Sequence, residues 1–311
     1  MKPDFICIGA QKAGTSWLYS NLNAQPEFDL PPIKELHYFD RSRKYPTINT
    51  LSESRASERL KNPKYVEDAE RKLARCQNES EASWWRKYYF EDYGNEWYKS
   101  LYSMRKGITG DITPSYSVID SDDITEMRAI NPELKILMLL RNPIERAWSS
   151  FRFSHKRSME AFDLYDFSVF HKFVSSSHQM LRSDYRRTLA EFSRVFDPAR
   201  IMIVFYDAIS ETPELLLNQV LEFLGAGAVS SRKDLETVVN KTNFVEMPEP
   251  YLELLKRVYA GDIEFYHEAL GSYASDWLLS CKPSDSTQLE SHRWAAKTLN
   301  ATNFLCNGSR L

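Results

Sequence analysis

The feature that most limits the fold is the opening of the chain, where a short apolar run leads directly into a glycine loop. The run Phe5–Ile8 has no alternation of polar and apolar residues, which is typical of a strand buried on both faces of a parallel sheet. The loop from Gly9 to Gly14 follows it, and Leu18 and Leu22 then lie four residues apart, as on one face of a helix. The start of the chain therefore predicts a strand, a loop and a helix, in that order.

Two later apolar runs extend this pattern along the chain. Lys135–Leu140 and Ile201–Phe205 also predict buried strands. Helices are predicted from Pro143 to about Ser154, over 177–196, from Pro213 to the glycine at 225, and from about Pro250 to Leu270. Strands that alternate with helices form a parallel sheet covered on both faces. We therefore predict an α/β fold of the P-loop type, with three layers, α/β/α, around a central parallel sheet.

The 311 residues fit a single domain over 1–311 with one unusual segment. Residues 41–100 have weak apolar periodicity, and between Arg41 and Arg75 ten basic residues stand against five acidic ones. We interpret this segment as a lid-like insertion beside a binding site and residues 281–311 as a C-terminal extension. The basic run is either a solvated helical face or a surface that attracts an anionic binding partner.

Composition excludes several classes of partner. A net charge of −3 gives no reason to expect nucleic acid, and no apolar run is long enough to span a membrane. The four cysteines have no zinc-type spacing, so no metal is predicted. The first apolar run is too short for a signal peptide, so we expect a cytoplasmic protein. A lumenal domain trimmed from an anchored enzyme would have the same sequence features.

The central functional signal is the loop Gly9-Ala10-Gln11-Lys12-Ala13-Gly14-Thr15-Ser16. Its glycines stand in the spacing GxxxxG, after a predicted strand and before a predicted helix. Glycines let the backbone approach a phosphate closely, and a helix N-terminus offers unpaired N–H donors with a partial positive charge. The loop is therefore a candidate phosphate site. The alternative is a tight strand-to-helix turn with a solvated lysine.

This loop differs from that of an ATP-binding P-loop enzyme. Such a loop has lysine directly after the second glycine, where this chain has Thr15, and the lysine is instead Lys12. The strand Lys135–Leu140 ends in Arg141 rather than in the aspartate that anchors magnesium. A P-loop nucleotide kinase or NTPase remains one alternative, and a non-catalytic nucleotide-binding module is another. The loop better suits a different phosphate donor.

With these residues, the sequence resembles sulfotransferases that use 3′-phosphoadenosine 5′-phosphosulfate (PAPS). Lys12-Ala13-Gly14-Thr15-Ser16 resembles the family's loop for the 5′-phosphosulfate, and Gln11 precedes it. Arg141-Asn142-Pro143, with Ser149 eight residues after the arginine, resembles the family's second motif. The resemblance implies that Arg141 and Ser149 bind the 3′-phosphate. A guanidinium suits that task because its planar fork matches phosphate oxygens. Trp17 either stacks on the adenine or is a core residue.

Three further segments resemble the glycan (heparan-sulfate-type) branch of the family. These are Lys34-Glu35-Leu36-His37-Tyr38-Phe39, Gly110-Asp111-Ile112-Thr113-Pro114-Ser115-Tyr116 and Asn240-Lys241-Thr242. The last implies that Lys241 and Thr242 close over the cofactor. Ile112 stands where the branch has lysine, and the cysteine hairpin that often follows the third segment is absent.

The resemblance implies sulfuryl transfer from PAPS, with adenosine 3′,5′-bisphosphate (PAP) as product, to a hydroxyl or amine. The acceptor would be a carbohydrate or a small-molecule alcohol. Lys12 would neutralise charge on the leaving oxygen, and no metal is needed. Glu35 is our candidate for the general base and His37 is the alternative. Strand-like alternation would place these two side chains on one side of an extended segment. Asp111 and Tyr116 are expected to line the acceptor cleft. The sequence does not predict the oligomeric state.

Overall fold

A computed structural model describes residues 2–47, 53–157, 163–232, 235, 245–281 and 294–299. A five-stranded sheet forms its centre, in the order β2-β1-β3-β4-β5. The strands are β1 (Phe5–Gly9), β2 (Gly110–Ile112), β3 (Lys135–Leu140), β4 (Ile201–Phe205) and β5 (Ala296–Thr298). The first four strands are parallel to one another, and β5 is antiparallel to β4. The α/β fold is confirmed, with a mostly parallel sheet flanked by helices rather than an entirely parallel one.

Fourteen α-helices lie in the described part of the chain. They are α1 (Thr15–Asn23), α2 (Ala56–Arg59), α3 (Pro63–Leu73), α4 (Glu79–Phe90), α5 (Asn95–Ser100), α6 (Ser121–Ile130), α7 (Pro143–Arg157), α8 (Phe167–Val174), α9 (Ser177–Ser183), α10 (Tyr185–Val195), α11 (Ala208–Glu211), α12 (Pro213–Leu224), α13 (Glu249–Leu270) and α14 (Tyr273–Cys281). Short 3₁₀ helices span Pro114–Val118 and Pro198–Arg200.

The predicted strands form because their side chains are apolar on both faces. All residues of β1 and β4 are buried, as are those of β3 after Lys135. The helix boundaries also follow local chemistry. Pro213 begins α12, and Gly225 ends it in the left-handed conformation, with φ 89°. The prediction of one helix over 177–196 is wrong, because Asp184 ends α9 and its carboxylate caps α10 by accepting from the Arg187 N–H.

The segment 41–100 carries four helices and packs its aromatic side chains into the main core. Tyr38 stacks on Tyr98 with 4.8 Å between ring centroids, and Trp97 contacts both Tyr38 and Tyr88. Part of the basic run is used in this packing, because Arg59 is 3% exposed and donates to four backbone carbonyls, those of Glu53, Ser54, Tyr89 and Glu91. If the basic run is an anion-attracting surface, it therefore has fewer exposed cations than the count of basic residues indicates. The domain division stays a prediction.

The strand order determines where a ligand can bind. The chain leaves β1 to form β2 on one side and returns to form β3 on the other side of β1. In open parallel sheets, ligands bind beyond the carboxyl ends of the strands, at the point where the order reverses. That point lies between the ends of β1 and β3. The loop with Lys12 follows β1, and Arg141 follows β3.

Gly14 is predicted to be essential for stability. It precedes α1 with φ 90°, and a Cβ there would lie 2.3 Å from Ile209 Cδ1. We expect Gly14→Ala to lower the free energy of unfolding by about 2 to 4 kcal/mol, from backbone strain and overpacking. Denaturant unfolding followed by circular dichroism measures it.

Gly261→Ala is the matched control. Gly261 lies inside α13 with no atom within 4 Å of its added Cβ, so we expect stabilisation by about 0.5 to 1 kcal/mol. Equal effects of the two substitutions would contradict the role given to the Gly14 conformation.

Candidate active site

Two motifs that are distant in the chain meet at the reversal point of the sheet. The Arg141 Nη1 donates to the Lys12 carbonyl oxygen at 3.2 Å, across 129 residues of sequence. The Ala10 N–H donates to the carbonyl of Leu139 at 2.7 Å, which fixes the start of the loop against β3. The two candidate anion-binding motifs are therefore parts of one site.

The loop that carries Lys12 bends sharply into α1. Lys12 has φ 69° and Gly14 has φ 90°, both left-handed. Thr15, the first residue of α1, is 5% exposed, and Ala13 is buried. The backbone N–H groups of the first turn of α1 follow this bend, so the loop has the form of an anion-binding site, with Gln11 and Ser16 at its two ends.

Positive charge is concentrated around Lys12. Burial, together with the neighbouring Arg141, Arg152 and Lys34, lowers the pKa of the Lys12 ammonium to about 8. The Lys12 Nζ rests over the ring of Phe153, 4.1 Å from its centroid. Repulsion among such partly buried cations makes the binding of an anion between them favourable.

Arg141 is held in place from several sides. Its Nη2 lies 3.0 Å from Glu145 Oε2, and its guanidinium lies 4.2 Å from the centroid of the Tyr206 ring. The hydroxyl of Tyr185 donates to the Arg141 carbonyl. Ser149, two turns further along α7, is 6% exposed. The predicted 3′-phosphate residues thus lie on one strand end and the helix that follows it.

The Lys34–Asp40 segment brings an acidic and a basic side chain together. His37 Nε2 lies 3.5 Å from Glu35 Oε2, and His37 Nδ1 lies 2.8 Å from Asp40 Oδ2. The expected extended conformation is wrong: Glu35 has φ 70° and His37 has φ 56°. The two side chains meet because the backbone turns twice into the left-handed region.

Charge pairing sets the protonation of this segment. Burial alone would raise the pKa of Glu35, but contacts with His37 and Lys34 lower it to about 2. Burial would lower the pKa of His37, but hydrogen bonds to Asp40 and Glu35 raise it to about 9. At neutral pH Glu35 is therefore a carboxylate and His37 an imidazolium.

Asp111 and Tyr116 do not line a cleft as expected. They are 2% and 0% exposed, and the Tyr116 hydroxyl donates to Asp111 Oδ2 at 2.7 Å. Trp17 is also buried, and its ring N–H donates to the carbonyl of Leu235. Stacking of Trp17 on adenine stays a prediction. Lys241 and Thr242 lie outside the described residues.

The sequence interpretation missed Asp40, Arg152 and Phe153. Asp40 directly follows the motif that contains Glu35 and His37, so its place next to the motif was the available signal. Arg152 and Phe153 lie one turn beyond Ser149 on α7, and helical spacing alone places them near the same end of the sheet.

The described residues contain neither a cluster suited to a metal ion nor a helix suited to a membrane. No cluster of three or more histidine, cysteine, aspartate or glutamate side chains is arranged to hold a metal ion there. No helix in those parts of the chain is both long and apolar enough to cross a membrane. The cellular location expected from the sequence stays a prediction.

Comparison with known proteins identifies the family of this chain. A sequence model described as "Sulfotransferase domain" matches residues 2–264. The chain belongs to the sulfotransferase domain family. Rat carbohydrate sulfotransferase 15 is 22% identical to this sulfotransferase-family chain over 284 residues, with 79% of the chain and 48% of the rat protein covered. The human protein of the same name is 20% identical with the same coverage. The chain thus spans about half the length of these curated relatives.

Solved structures confirm the fold. A sulfotransferase from Alicyclobacillus acidocaldarius has a TM-score of 0.60 and 20% identity, covering 89% of this chain and 99% of the other. The mouse sulfotransferase SULT7A1, solved in complex with PAP, has a TM-score of 0.51 and 10% identity, with 90% of both chains covered. At this identity the likeness concerns the fold.

The depressed pKa of Lys12 makes a measurable prediction. An anionic nucleotide bound beside Lys12 would favour the ammonium form, so we expect PAP to raise that pKa and to cause uptake of protons near pH 8. We expect uptake of up to about 0.5 proton at pH 8, with affinity falling as the pH rises further. Titration calorimetry in two buffers of different ionisation enthalpy measures this uptake.

Lys12→Met should abolish the uptake at pH 8, whereas Lys64→Met on the exposed face of α3 should leave it unchanged. Uptake that persists in the Lys12 variant would assign the proton to another group.

Proposed function

We propose that this chain transfers a sulfuryl group from PAPS to a hydroxyl or amine of an acceptor, with PAP as the product. The observation that carries the proposal is the contact between the Arg141 guanidinium and the Lys12 carbonyl, which joins the two family motifs for the two ends of one nucleotide. The SULT7A1 neighbour was solved with PAP, which supports the same choice of nucleotide.

The donor side fits an anionic nucleotide. The loop from Gln11 to Ser16 would hold the 5′-phosphosulfate through backbone N–H groups and hydroxyls. Arg141 and Ser149 would hold the 3′-phosphate. PAPS supplies an activated sulfuryl group bonded to a phosphate that leaves readily. Lys12 would neutralise the negative charge that develops on the leaving oxygen. A bound anion would also reduce the repulsion between the Lys12 ammonium and the cations around it.

The acceptor side favours Glu35 over His37 as the general base. A base must be deprotonated before it acts, and the pKa values of about 2 and about 9 leave only Glu35 in that state at neutral pH. A carboxylate of such low pKa is a weak base. An acceptor hydroxyl that displaced Lys34 or His37 from Glu35 would remove the contact that lowers its pKa and so strengthen it. Asp40 keeps His37 oriented meanwhile.

The acceptor class comes from the relatives and the motif context. The curated relatives are named as carbohydrate sulfotransferases, and the Lys34–Phe39 segment resembles the glycan branch. We therefore propose a sugar hydroxyl or a similar alcohol as the acceptor. Arg41 and Arg43 directly follow the Lys34–Asp40 segment and line a pocket of about 380 Å³. Its other lining residues are Phe39, Ser42, Glu53 and Asp123. This pocket is a candidate place for part of such an acceptor.

The nucleotide preference tests the proposal against a P-loop kinase or NTPase. We expect saturating PAP to raise the melting temperature by about 4 to 8 °C, with a much smaller effect of adenosine 5′-phosphate or Mg-ATP. Arg141→Gln should remove the advantage of PAP over adenosine 5′-phosphate, because only PAP carries a 3′-phosphate.

Arg194→Gln, on the exposed side of α10, is the control and should melt and bind as the parent does. Stabilisation by Mg-ATP equal to or above that by PAP would reject the proposed donor.

The identity of the base is tested by two substitutions, assayed by transfer of labelled sulfate to a panel of glycans and alcohols. We expect Glu35→Gln to lower turnover by about a hundredfold or more, because the acceptor proton has no carboxylate to receive it. His37→Asn should reduce turnover less and change its pH dependence. PAP binding serves as the control for both variants. A dead His37→Asn beside an active Glu35→Gln would reverse the assignment.

A further inference from the structure

A buried carboxylate in the middle of β2, that of Asp111, accepts hydrogen bonds from three hydroxyl groups. Asp111 Oδ1 accepts from Thr113 Oγ1 at 2.6 Å, and Oδ2 accepts from Tyr116 at 2.7 Å and from Tyr98 at 3.0 Å. Asp111 is 2% exposed, and burial raises its pKa. A buried carboxyl group needs such partners because leaving it unpaired is costly.

One of these hydroxyls, that of Tyr116, also contacts the Lys34–Asp40 segment. The Tyr116 oxygen accepts from the backbone N–H of Tyr38 at 2.9 Å. Its own hydrogen is directed to Asp111, so the oxygen lone pair is free to accept from Tyr38. The Glu35 N–H donates to the Ile112 carbonyl at 3.1 Å, which ties the same segment to β2 a second time. Tyr98 contacts Asp111 but has no such bond to the Tyr38 amide in the described structure.

The segment needs this support because its backbone is strained. Left-handed φ values at Glu35 and His37 cost roughly 1 kcal/mol or more each for residues with a Cβ. Such turns persist only where surrounding contacts over-determine them. The Tyr38 amide lies one residue after His37, so its hydrogen bond fixes the peptide that closes the second turn.

We propose that Tyr116 is a positioning residue for Glu35 and His37, and that it acts through the Tyr38 amide while Asp111 orients its hydroxyl. The proposal rests on the proposed function, in which Glu35 receives the acceptor proton. Ile112 stands where the resembled family has lysine and is 2% exposed, so at this position the chain offers the acceptor no cation. Ile112 instead contributes its backbone carbonyl, which accepts the hydrogen bond from the Glu35 N–H.

His37 is a suitable reporter of this geometry. Its imidazole faces Glu35 and Asp40 from its own segment and Asp111 from β2, while Arg182 on α9 acts on both carboxylates of the segment. The raised pKa of His37 depends on its contacts with Glu35 and Asp40. Loss of the turns would separate these groups and lower that pKa.

The experiment compares Tyr116→Phe with Tyr98→Phe in the full chain. Each substitution removes one hydroxyl from Asp111, but only Tyr116→Phe also removes the acceptor of the Tyr38 amide. The His37 pKa is measured by NMR titration of its imidazole, assigned by its absence in His37→Asn. We expect a fall of about one pKa unit in Tyr116→Phe and a change below about 0.3 unit in Tyr98→Phe.

Turnover and nucleotide binding separate positioning from general damage. Tyr116→Phe should lower turnover by about tenfold or more, with PAP affinity within about twofold of the parent, since the donor loop is untouched. Tyr98→Phe should retain most of the turnover. Equal effects of the two substitutions on the His37 pKa would overturn the proposal and leave both tyrosines as core residues.

Two further outcomes are decisive. If Tyr116→Phe does not fold, hydrogen exchange of the Tyr38 amide in the parent protein replaces it: protection comparable to that of the β2 amides supports the proposal, and rapid exchange overturns it. If the parent neither binds PAP nor transfers sulfate, the proposed function fails. The His37 comparison still decides the positioning role, because it needs no substrate.

Discussion

The hydrogen bond from the Arg141 guanidinium to the Lys12 carbonyl joins the ends of β1 and β3, and the geometry of the site depends on it. It can form only because β3 returns to the side of β1 opposite β2, which brings the two strand ends next to each other. The loop after β1 supplies backbone donors, and the residue after β3 supplies a planar cation. Neither alone distinguishes a nucleotide with phosphates at both ends of its ribose from a simple phosphate.

The same convergence creates an electrostatic cost. Lys12, Arg141, Arg152 and Lys34 lie near enough to depress the pKa of Lys12, although the whole chain carries a net charge of −3. In this state Glu145 pairs with Arg141 and Glu35 pairs with Lys34. Repulsion among cations in a partly buried site is relieved by a polyanion. The cluster would therefore contribute binding energy to the proposed donor, which carries two phosphates and a sulfate.

Much of the fold could be predicted from the sequence, because β1, β3 and β4 are apolar on both faces and α12 has proline and glycine at its ends. The three-residue strands β2 and β5 could not, since their pairing is decided by the strands beside them and not by their own residues. The sequence also predicted that the motifs around Lys12 and Arg141 follow buried strands, and the structure brings them together, while the roles of their residues stay predictions. The turns at Glu35 and His37 were not, because a positive φ at a residue with a Cβ is imposed by tertiary contacts. For the same reason the burial of Asp111 and Tyr116 was missed.

The resting contacts of the acceptor side indicate how the base can be both ionised and effective. Glu35 is held as a carboxylate by Lys34 and His37, and these contacts also make it a poor proton acceptor. Lys34 also lowers the pKa of Lys12, so one ammonium group contacts Glu35 and adds to the positive charge around the loop. His37 and Lys34 both lower the pKa of Glu35, and loss of either contact would raise it. In the proposed reaction, the strength of the base would therefore depend on whether these two cations stay against Glu35, while the hydrogen bonds from Glu35 to Ile112 and from Tyr38 to Tyr116 hold the backbone of the segment.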